Sequence, residues 1–130
     1  MRLAVNRKRI DRIKAEMKKA EEYLHAADIL HSRGLFNPSV SSSHNSAFHA
    51  ASAAFLTAGI HGGENFSNFI EVFARFNHKL GPVLRKLKDN VDGFHIRPMI
   101  EYDENEALLR IHQTKEFLME VKDFLRKALR

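Results

Sequence analysis

The run from Ser39 to Ala58, SVSSSHNSAFHAASAAFLTA, constrains this chain more than any other segment. It shows no strict alternation of apolar and polar residues, so it reads as helix and not as strand. Ser43, Ala47, Ala50, Ala51, Ala54 and Ala58 are small, which lets the backbone of a second helix come close. Val40, Phe48, Phe55 and Leu56 add apolar bulk, and this is expected to be the most buried helix of the domain. Asn37 suits the capping position, Pro38 the first helical position, and Gly59 the stop.

The segments around it are helical too. Ile10, Ile13, Met17, Ala20, Leu24 and Ala27 recur at three- and four-residue spacing, an amphipathic stripe that ends at Arg33-Gly34. Phe66, Phe69, Ile70, Phe73 and Phe76 continue the helical period, and Leu80, Val83, Leu84 and Leu87 follow a break at Gly81-Pro82. This predicts a third and a fourth helix, or one helix kinked at Pro82. The Phe set reads as core or as a dimer seam. A last helix starts near Asp103, with Glu106 placed for a capping box, and carries Leu108, Ile111, Leu118, Val121, Leu125 and Leu129. The expectation is an all-α, antiparallel up-and-down bundle of four or five helices. Residues 1–130 suffice for one such domain, with 1–9 as a flexible basic N-terminus.

The charge is uneven. Residues 1–19 hold eight of the 21 Lys/Arg against two of the 16 acidic residues, so the net charge of +5 is an N-terminal property. Arg7, Lys8, Arg9 and Arg12 are the residues here that can meet phosphates. No apolar run is long enough to cross a bilayer, and none follows the basic start as a leader would, so a cytoplasmic protein is expected. Cysteine is absent, which excludes disulfides, thiolate catalysis and cysteine metal sites. Ser41, Ser42 and Ser43 lie near His44 without the strand–turn–helix elbow of a nucleophile. Glu22-x-x-His25 and Asp28-x-x-His31 have metal-ligand spacing, but both fall on one helix with no second copy, so no metal and no cofactor is expected.

Two blocks carry a family resemblance. The first is Gly34-Leu35-Phe36-Asn37-Pro38-Ser39-Val40, followed by Ala47, Phe48-His49-Ala50-Ala51, Ala53 and Gly59-Ile60. The second is Arg97-Pro98-Met99-Ile100-Glu101-Tyr102, with Glu106-Ala107 and Lys115-Glu116-Phe117-Leu118 beyond it. In order and spacing these resemble the HEPN family over roughly residues 20–128. The resemblance implies a helical bundle, often a homodimer, and often paired with a minimal nucleotidyltransferase in toxin–antitoxin-like modules. Many members are metal-independent ribonucleases in which an Arg and a His, separated by four to six residues, act at the dimer interface.

The chain departs from that motif, because no Arg precedes a His at that spacing. Arg97 has Tyr102 where those ribonucleases have His, and a phenol with a pKa of ~10 is a poor general base at neutral pH. The expectation is therefore a nucleotide- or RNA-binding module, with catalysis left to weak candidates in Arg97, Tyr102 and His95. Arg97 is expected at a phosphate, and Tyr102 as a hydrogen-bond donor or as the anchor of the last helix. His44, Asn45 and His49 complete the binding set. His44-Asn45 stands where relatives carry a Tyr pair, and His44 and His49 are about 140° apart around their helix. The alternatives are a divergent ribonuclease using His95 or His44, and a protein-binding adaptor.

Overall fold

The computed structural model describes residues 6–59, 82, 85 and 101–129. Three helices account for most of them: α1 (Arg7–Ser32), α2 (Phe36–Thr57) and α3 (Glu104–Ala128). No strand occurs among the described residues. Of the segment expected to hold the third and fourth helices, only Pro82 and Arg85 are described, each helical and exposed. The Phe66–Phe76 set lies outside the described residues, as do His95 and Arg97.

The helix ends follow from local chemistry. Asn6 caps α1 by accepting from the Arg9 amide at 2.8 Å, so Arg7, Lys8 and Arg9 form its first turn. The other end closes as a Schellman motif. Gly34 takes φ +75°, its N–H donates to the His31 carbonyl, and the Leu35 N–H reaches back to Leu30. α3 begins with the expected capping box: the Asp103 carboxylate accepts from the Glu106 amide, and Glu106 accepts from the Asp103 amide. At its far end the Asp123 carboxyl is held below the usual carboxylate range, first by a hydrogen bond from Lys127 and then by one from Arg126.

The start of α2 corrects the sequence reading. The helix begins at Phe36, one residue before the expected cap, and Leu35 precedes it with no side-chain cap. Its first bond runs from the Ser39 amide to the Leu35 carbonyl, so Pro38 still falls in the first turn, where a missing N–H costs nothing. Asn37 does not cap because its Oδ1 accepts from the Tyr102 amide at 2.8 Å.

Small residues let α1 and α2 pack backbone to backbone. Ser39, Ser42 and Ser46 donate to the Ala27, Tyr23 and Ala20 carbonyls at 2.7, 2.8 and 2.5 Å. Residue numbers rise on one helix as they fall on the other, so the pair is antiparallel. α3 also runs against α1: His31 meets the Glu104 carbonyl, Asp28 pairs with Lys115, and Glu21 pairs with Lys122. Consequently α2 and α3 are parallel to each other.

The core lies between the three helices. Ile13, Ala20, Ala50, Ala54, Phe55, Phe117 and Val121 are buried in one cluster, with Met17 and Leu24 partly buried against it. On α3 the buried face is Ala107, Ile111, Thr114, Phe117, Leu118, Val121 and Leu125, while Leu108, expected in the stripe, is exposed. No described helix is long and apolar enough to cross a membrane.

Candidate functional site

The stretch before α3 is fastened to the start of α2. The Asn37 bond holds the Tyr102 backbone, and the Tyr102 side chain, 8% exposed, packs in a small cluster with Val40, Ala107 and Phe36. The Arg110 guanidinium lies over the ring, 5.6 Å from its centroid. A ring this deeply set under a cation has little surface left for a base to stack on, so its place is that of an anchor for α3.

Arg110 was not singled out by the sequence, and neither was Gln113 one turn on. Arg110 Nε is buried and meets no acceptor among the described residues. Gln113 Oε1 is buried and meets no donor among them. The available signal was positional: Arg110 sits between Ala107 and Thr114 at i+3 and i−4, so it borders the buried face and does not stand opposite it.

The remaining candidates divide between places. His44 is buried on α2, one turn beyond Val40, on the side where the Ser43 carbonyl faces Thr114. Asn45 is exposed. His49 faces α1 instead. Its Nδ1 is 2.7 Å from Glu16 Oε2, its ring stacks on Tyr23 at 5.4 Å and 5°, and Phe48 meets it edge-on. A carboxylate accepts, so Nδ1 is the nitrogen that donates in this pair. The structure thus brings Tyr102 to the start of α2 and leaves His49 on a different surface.

The basic residues are farther still. Arg7 is exposed and pairs with Asp11 at 3.9 Å, while Lys8 and Arg12 are exposed. The Arg9 guanidinium lies beside Gly59, whose φ is +74°, at the negative end of the α2 dipole. That end is the length of α2 away from Tyr102, roughly 30 Å for its 22 residues. A mononucleotide at Tyr102 cannot also touch Arg9 of the same chain, whereas an extended polymer can span both.

The serines near His44 are engaged: Ser42 donates to Tyr23 and Ser43 to Val40. Among the described residues no group of three His, Asp or Glu could hold a metal ion. His25 lines an open groove of about 400 Å³ between α1 and α3, where Glu21 and Asp28 are already paired with Lys122 and Lys115.

Three packed helices, with α1 antiparallel to both α2 and α3 and the segment before α3 tied to α2, define a small helical-bundle module. The HEPN domain model matches residues 13–128, and the chain belongs to the HEPN domain family, whose helical modules are related to nucleotides and RNA. No curated protein matches the chain.

Proposed function

We propose that this chain is a HEPN-type binding module for a nucleotide or RNA, with its site at the junction of α2 and the segment leading into α3. The observation that carries the reading is the bond from the Tyr102 amide to Asn37, together with the packing of Tyr102 on Val40. It brings Tyr102, the last residue of the second block of the family resemblance, against the start of α2. Arg97, five residues before Tyr102 in the sequence, supplies a phosphate contact, and His44 lies on the α2 side. The module is a four- or five-helix bundle that works as a cytoplasmic homodimer beside a minimal nucleotidyltransferase, in a toxin–antitoxin-like pair. Basic residues of the first turns of α1 add contacts when the ligand is a polymer.

Titration of the purified chain with a fluorescent ATP analogue and with a short single-stranded RNA tests this. Saturable binding is expected, weakened about tenfold in Arg97→Ala, the order of one charge-assisted phosphate contact. Unchanged affinity in that variant at several salt concentrations removes Arg97 from the site. No binding of either probe removes the function.

A further inference from the structure

We infer that Arg110 and Gln113 on α3 form a subsite for a nucleoside phosphate, free or within RNA, in which Arg110 takes the phosphate and Gln113 a hydroxyl or amino group. The inference rests on the nucleotide- or RNA-binding reading above and assigns its anchoring residues.

Arg110 is an unusual arginine. No carboxylate lies within ion-pair distance of it among the described residues, and its guanidinium carbon lies 5.6 Å from the Tyr102 ring centroid. The ring lies near the guanidinium carbon and offers no lone-pair acceptor to the Nε–H. Nε is buried and without an acceptor among the described residues, where an unmet donor is costly. A guanidinium held beside an aromatic ring, with its Nε–H unmet, suits forked recognition of two oxygens of one phosphate.

Gln113 adds the opposite requirement. Its Oε1 is a buried acceptor with no donor among the described residues, one turn from Arg110. The two unmet groups are complementary in sign, yet they are not bonded to each other. A single ligand that answers both must present acceptor oxygens to Arg110 and an O–H or N–H to Gln113. A phosphate carried on a ribose or a base has both, and inorganic pyrophosphate has no sugar or base to offer. The subsite adjoins the Asn37–Tyr102 junction, because Tyr102 is the residue that supports the guanidinium.

The test uses the full chain and three probes: a fluorescent ATP analogue, a short labelled single-stranded RNA, and inorganic pyrophosphate as competitor. Arg110→Met keeps the alkyl packing on Tyr102 and is expected to weaken binding about tenfold or more, with Arg110→Lys recovering part of it. Gln113→Leu is expected to weaken ATP or RNA and to leave pyrophosphate competition unchanged. Loss confined to ATP, or confined to RNA, identifies which source of nucleoside phosphate the subsite takes. Thermal melts of each variant report folding. If wild type binds a probe and Arg110→Met and Arg110→Lys, both folded, bind it equally well, the subsite is overturned while the parent reading stands. Matched losses of melting temperature in Arg110→Met and Gln113→Leu, with binding intact, overturn it as well, because the two groups then serve only packing. If wild type binds none of the probes, the parent reading falls first and this one with it.

Discussion

Ser46 stands where α1 and α2 come closest, with its hydroxyl 2.5 Å from the Ala20 carbonyl. That carbonyl already accepts within α1, so the second bond is an addition and not a rescue. Ser46→Ala is therefore expected to cost only about 1 kcal/mol. Ser46→Leu has no space to occupy between the two backbones and is expected to cost about 3 kcal/mol by overpacking. Urea unfolding midpoints of the two variants measure the difference, and equal midpoints would show that close approach is not what the serine secures. The sequence showed the small side chains and the polarity here, and both are real. It did not show where the hydroxyls point, because a serine on a helix serves a ligand groove or a neighbouring carbonyl with the same spacing. Ser39, Ser42 and Ser46 are spent on α1.

The elements differ in how openly their ends are written. The Asp103/Glu106 capping box was legible because both partners lie within one turn, and the structure holds it as read. Asp103→Ala is expected to destabilise the domain by about 1 kcal/mol, checked by the thermal midpoint. It should leave the Asn37–Tyr102 bond in place, since that bond uses the backbone of the preceding residue. The start of α2 misled because its outcome depends on a residue 65 positions away in sequence. Asn37 had two uses for its side-chain oxygen, and the long-range one prevails where the part-buried Tyr102 amide meets it at 2.8 Å. Arg110 was missed for a related reason. Periodicity sorts residues into inside and outside, and a residue on the border of the buried face is counted as solvated.

For the whole molecule, periods of three and four residues were enough to establish helices, and small residues in α2 were enough to establish tight packing. The family resemblance read from motif order is borne out by the match over residues 13–128. The residues chosen for binding were a different matter, since spacing along α2 carries no record of which neighbour each face meets. His49 turned to Glu16 and Tyr23, and the basic first turns of α1 stand at the opposite end from Tyr102. The proposed homodimer is argued at this scale. Leu109 is 51% and Met119 69% exposed on α3, which gives a second copy apolar surface to cover. Light scattering after size exclusion is expected to return twice the mass of one chain at micromolar concentration, and a single-chain mass at that concentration would contradict it.

The hydroxyl bonds between α1 and α2 have one further consequence. Their rungs recur with each helical turn, so a slide of one turn, about 5.4 Å, would present every serine to another carbonyl of the same kind. Such a seam is strong but nearly blind to phase. The distinctive contact along it is the meeting of Glu16 with His49, which has no equivalent one turn away and, with the short turn at 33–35, favours a single alignment from a repeating set.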